Sequence, residues 1–190
     1  MCLAQDRMPP IAPEKLTEAQ KKVVEAMNVG RHSGVIGPYI PLLRSPKLLQ
    51  QVYDMGGYLR FEGPFKGKLT ELVTLIAARH WTQQFEWNAH YPLALAAGLK
   101  QEIVTAIAEG RRPVGMGEDE EIVYDFCTEL NANHGVSDAT YTRAVKKFGE
   151  QSVVDMAAVN GFYGMLAMIM NVARTPVLTK QGPPLTAFPH

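Results

Sequence analysis

The chain has 190 residues, 46% of them apolar and 20% charged, and its nineteen basic and nineteen acidic side chains cancel. That length suits one domain with a sizeable core, and the balanced charge gives no electrostatic footing for nucleic acid or an anionic membrane surface. Two cysteines, Cys2 and Cys127, stand far apart and outside any Cys-x-x-Cys pair, which argues against a disulfide scaffold or a cysteine-ligated metal.

Periodicity is helical along the chain and no strand pattern emerges, so the expected fold class is all-α. Residues 1–14 read as an extension without the charged-then-apolar pattern of a leader, and the expected address is the cytoplasm. No apolar run approaches the roughly 18 residues needed to span a bilayer, so no crossing is expected. A helix is expected over 14–28, with Leu16, Val23, Val24 and Met27 on one side. Gly30 to Pro41 reads as a loop. Ser45 then caps and Pro46 opens a helix over 46–62, with Gly56 and Gly57 in its middle. Gly63, Pro64 and Gly67 punctuate before two helices over 67–81 and 83–98, broken near Thr82. Gly98 caps the second, although Pro92 lies inside it and should kink or fray it after His90.

A short helix over 100–109 stops at Gly110, and another runs over 118–132, where Cys127 reads as a small buried hydrophobe. Ser137 and Asp138 open a helix over 138–148 that Gly149 closes; the last covers 150–173 and is apolar nearly all round. Such a helix should be covered on most sides, part of it across a subunit interface. The tail from Thr175, with four prolines, is expected to be extended, on the surface or on a neighbouring subunit. The domain is therefore expected over 15–175, with a proline-rich tail over 176–190.

The chemistry concentrates in the two central helices. Glu86 and His90 are four residues apart and share a helix face. If the helices pack antiparallel, Glu71 is carried back to that face, so two carboxylates and an imidazole converge among apolar residues. Burial and a neighbouring carboxylate pull an imidazole in opposite directions, a balance suited to acid–base catalysis. Arg60 and Arg79 are candidates for holding an anionic substrate through a bidentate fork. Gln83, Trp87 and Tyr53 complete the expected substrate contacts, while Phe85 reads as core. His32, His80 and His134 lack partner spacing and read as structural or surface. The carboxylate-rich set is not completed by an Asp/His cluster, so no metal is expected.

The segment Phe85-Glu-Trp-x-x-His90-x-x-x-Ala94-x-x-Ala97-Gly-Leu99, with Glu71 before it, resembles the carboxymuconolactone decarboxylase family, a relative of alkylhydroperoxidase D. Gly37-Pro-Tyr-Ile-Pro-Leu-Leu-Arg-Ser-Pro46 and Asn160-Gly-Phe-Tyr-Gly-Met-Leu-Ala-Met-Ile-Met-Asn171 are similar to it as well, and together these stretches cover most of 15–175. The peroxidase branch of that family carries a glutamate, a Cys-x-x-Cys and a histidine. On this chain they fall on Glu71, Gln83 with Glu86, and His90, so both thiols needed to attack and resolve a peroxide are missing. The decarboxylase branch implies an all-helical, cofactor-free homo-oligomer, a trimer or hexamer, acting on a small carboxylated unsaturated lactone. By that resemblance His90 donates a proton, Glu86 or Glu71 orients it, and Arg60 or Arg79 holds a second carboxylate. A hydroperoxidase and a non-catalytic binding protein of the same fold are the alternatives.

Overall fold

Glycine and proline set the helix ends in the computed structural model, which describes residues 5–29, 34–177 and 181–186. Among these residues there are eight α-helices and no strand: α1 (Glu18–Val29), α2 (Tyr39–Leu42), α3 (Pro46–Gly57), α4 (Lys68–His80), α5 (Gln84–Ala96), α6 (Gln101–Ala108), α7 (Glu118–Asn133) and α8 (Asp138–Ala173). Cys2, Gly30 and His32 lie outside the described residues.

The first expected helix is divided. Pro13–Lys15 forms a 3₁₀ turn, and α1 starts only after Thr17, which exchanges two bonds with Gln20: Gln20 N to Thr17 Oγ1 at 3.3 Å and Thr17 N to Gln20 Oε1 at 3.0 Å. This is a capping box, and it outcompetes continuation from the turn. The expected loop up to Pro41 is shorter than its sequence suggests, because Tyr39–Leu42 forms a helical turn. Ser45 does stand before α3 with Pro46 first, but its side chain makes no capping bond. Past Gly57 the helix widens into a π-helical turn over Tyr58–Glu62 instead of continuing as α-helix. Such a widening re-aims the side chains that follow, here Arg60.

The most enclosed helix is α4: every residue from Thr70 to Arg79 is buried. It packs mainly against α5, α7 and α8 and forms the axis of the bundle. Leu72 and Leu75 are fully buried, each contributing roughly 1.5–3 kcal/mol of apolar burial. A three-residue break then reverses the chain. Thr82 takes a positive φ of 47°, and Gln83 starts α5 by accepting from Phe85 N at 2.5 Å and Glu86 N at 3.4 Å. α5 runs through Pro92 to Ala96 without ending, so the expected fraying after His90 does not occur. Gly98, at φ 95°, follows its end as expected.

Gly149 interrupts α8 with φ 79° and ψ 162°, so the two expected helices are two arms joined at that residue. Its second arm is less enclosed than its composition suggests: Val154, Met168 and Val172 are exposed. By length and composition α8 is apolar enough to cross a bilayer, with a mean hydropathy of 1.5 over its best stretch, contrary to the reading of the sequence. Sixty-one per cent of that stretch is buried inside the fold, as befits the core helix of a bundle. The described part of the tail lies along its own chain. Pro183 O accepts from Trp87 Nε1 at 2.9 Å, and Leu185 pairs with Gln84 through its N at 3.1 Å and its O at 2.7 Å.

Candidate active site

Glu71 lies one turn into α4 and His90 in the middle of α5, so the antiparallel α4–α5 hairpin sets them face to face. Glu71 Oε2 and His90 Nδ1 are 2.6 Å apart. Glu71 Oε1 lies 3.5 Å from Arg60 Nη2. A carboxylate held against a guanidinium accepts, so Nδ1 carries the proton and Nε2 is turned the other way. There Glu86 Oε2 waits at 3.5 Å, one turn back along α5. The order Arg60, Glu71, His90, Glu86 is a continuous line of alternating basic and acidic side chains. Burial of its acids is offset by this pairing, since isolated charges would be far costlier.

Glu86 differs from Glu71 in its surroundings. It is 3% exposed, and Oε1 has no hydrogen-bond partner among the described residues. Burial pushes its carboxyl above the usual range; His90 and Arg60 pull it down and Glu71 adds to the rise. A carboxyl that holds its proton more tightly beside Nε2 can pass it to the imidazole or take it back. The Tyr163 ring stands edge-on to the imidazole, centroids 4.9 Å apart at 80°, and fixes its plane. Its hydroxyl hydrogen-bonds Thr74, and burial raises its pKa, so it stays neutral.

Glu86, His90 and Arg60 open into a cavity of about 140 Å³ whose remaining walls include Tyr39, Phe85 and Phe162. The face of α5 that lines it carries Phe85, Glu86, Ala89, His90 and Leu93, spaced at helical intervals. This phase reverses two sequence expectations. Phe85 is half-buried and forms a cavity wall, while Trp87 is buried in the core with its indole tied to Pro183. Gln83 does not line this cavity: it caps α5 and donates through Nε2 to Asn171 Oδ1 at 2.9 Å. It acts on the site only by setting where α5 begins, and so where Glu86 points.

Of the two arginines, only Arg60 reaches the cavity. Arg79 is eight residues beyond Glu71, about 12 Å along the helix. It donates to Thr186 O at 2.6 Å and faces a separate cavity with His80 and Arg111. Tyr53 sits behind the wall, edge-to-face with Tyr39 at 6.0 Å. His80 is exposed against Trp81, and His134 ends α7 in the left-handed region; neither lines the cavity at Glu86. Cys127 is buried, and burial raises its thiol pKa. Among the described residues no three His, Cys, Asp or Glu side chains are arranged to hold a metal ion. Tyr163 and Phe162 were not legible as site residues; their one signal is an aromatic pair between Gly161 and Gly164 on an otherwise aliphatic helix.

No family model matches the sequence, and no curated protein matches it. Among solved structures the chain is similar to an uncharacterized peroxidase-related protein from Ralstonia eutropha JMP134, described as an alkylhydroperoxidase AhpD core. The TM-score is 0.72 at 15% identity, over 90% of this chain and 91% of that one. At that identity the likeness shows the fold: an alkylhydroperoxidase D-like helical bundle, as the sequence resemblance implied.

Proposed function

We propose that the chain is a cofactor-free lyase of the carboxymuconolactone decarboxylase type, acting on a small carboxylated unsaturated lactone or related acid. The observation that carries the reading is the line Arg60, Glu71, His90, Glu86 at the polar end of a largely apolar cavity. Arg60 keeps donors beyond the one near Glu71, because a guanidinium has five, and it holds the substrate carboxylate that is retained. The carbon–carbon bond to the departing carboxylate breaks, and its electron pair moves into the conjugated lactone carbonyl as carbon dioxide leaves. His90 then protonates the resulting carbanion equivalent from Nε2. Glu86 supplies that proton to the imidazole, and Glu71 holds the ring through Nδ1 so that Nε2 faces the cavity. The apolar walls keep water away, which strengthens each of these electrostatic contacts. The exposed Val154, Met168 and Val172 of α8 support a homo-oligomer as the working form.

A hydroperoxidase reading has behind it the description of the structural neighbour as peroxidase-related. It lacks thiols at the site: Gln83 and Glu86 stand where the peroxidase branch has cysteines, and Cys127 is buried elsewhere with a weakly acidic thiol.

The test is a panel of carboxylated unsaturated lactones assayed for carbon dioxide release, with an alkyl hydroperoxide assayed beside them. Turnover of a lactone is expected, falling by roughly 10²–10⁴ in His90→Ala while the helical spectrum is unchanged. Peroxide consumption that persists with both cysteines replaced, and no lactone turnover, would defeat the reading. Ligand binding with no turnover of either kind would point to a binding protein.

A further inference from the structure

Two cavities meet at Phe85. The one holding Arg60, Glu86 and His90 is about 140 Å³, and a second of about 550 Å³ lies beyond Ile36, Phe85 and Ala89, which line both. Phe85 and Ala89, four apart on α5, face both chambers. Gly37, at φ +54°, presses so close that a Cβ there would run into the Phe85 ring, which holds that ring where the two chambers adjoin. The larger chamber is walled elsewhere by Pro10, Val35, Ile40 and Pro176.

Two of its polar groups are already engaged. Asn88 Oδ1 accepts from Gln181 N at 2.6 Å, and Asp6 Oδ1 from Met8 N at 2.9 Å. Asp6 is the one charged residue among the described residues that line it, and its sign repels an acid. A diacid with both carboxylates in the smaller cavity would leave this chamber empty, and a carboxylate placed in it would meet no cation among the described residues that line it. An apolar group loses nothing there and gains from leaving water.

We propose that the larger chamber binds an apolar arm of the ligand whose acidic end meets Arg60. The substrate class is then an acid that keeps its carboxylates in the smaller cavity and extends into the larger through an aliphatic or aromatic group. This rests on the proposed function only in taking Arg60 as the acid's partner; the chamber's occupancy does not depend on turnover.

Isothermal titration of the full chain with straight-chain saturated carboxylates, from about four to about twelve carbons, tests it. Affinity is expected to rise roughly two- to fourfold per methylene once the smaller cavity is filled. Ile40→Trp and Val35→Trp, which narrow the larger chamber and leave the lining of the smaller one untouched, should flatten that rise and leave the shortest acids within about twofold of wild type. Methyl NMR of the unmodified protein locates the arm without substitution: the Ile40 and Val35 methyl signals should shift with long acids and stay put with short ones. A flat length series in wild type overturns the proposal by itself. So does a rise accompanied by methyl shifts that avoid Ile40 and Val35. The lactone assay is independent: its failure leaves the length series standing, and a flat series leaves the lactone assay standing.

Discussion

Glu86→Gln is expected to make the protein more stable as pH rises and nearly inactive at the same time. The carboxyl is 3% exposed, its Oε1 has no partner among the described residues, and its Oε2 meets His90 Nε2 only at 3.5 Å. Unfolded, the group titrates near 4.5; folded, desolvation raises that value. A raised carboxyl favours folding while protonated, so its contribution is complete below the unfolded value and is lost as pH climbs through the folded one. Between the two, wild type loses up to about 1.4 kcal/mol per pH unit relative to a side chain that cannot ionise. The gap between the variant's unfolding free energy and that of wild type should therefore open with pH and level off above the folded value. Urea denaturation from about pH 4 to about pH 8, followed by circular dichroism, measures it. Activity should fall at least about 10²-fold, because Gln cannot replenish the imidazole proton. Stability curves that stay parallel across the range would refute the reasoning.

Arg60→Ala should raise KM for a carboxylated substrate by roughly 10- to 100-fold, with a smaller loss in kcat, measured by steady-state kinetics. Cys127→Ala should keep full activity and cost roughly 1–2 kcal/mol of stability, and in the native protein the thiol should resist aromatic disulfide reagents until urea exposes it.

What could be read from the chain follows from where its signals are local. Gly98 and Gly149 mark helix ends because their positive φ is cheapest for glycine. The Glu71–His90 contact was foreseeable because a helix break at Thr82 and an i, i+4 pair together fix a hairpin with one polar face. The phase of α5 was not. Phe85 and Trp87 flank Glu86 with equally apolar side chains, and only packing against α4 and the tail decides which is core. Arg60 and Arg79 were equivalent as residue types. The π-helical turn turns one toward the cavity, and helical distance carries the other away. Gln83 is an uncommon helix cap, so its role depends on a geometry that its residue type does not announce. Tyr163 comes from some seventy residues downstream of His90, a contact that no local pattern specifies.

The most direct test of the relay is nitrogen-edited NMR of the His90 side chain. A strongly downfield Nδ1 proton in slow exchange with water is expected, because Glu71 holds it at 2.6 Å out of solvent. It should vanish or move sharply upfield in Glu71→Gln, while Glu86→Gln perturbs chiefly Nε2. A His90 ring whose two nitrogens exchange as quickly as those of an exposed histidine, and which ignores both substitutions, would contradict the account.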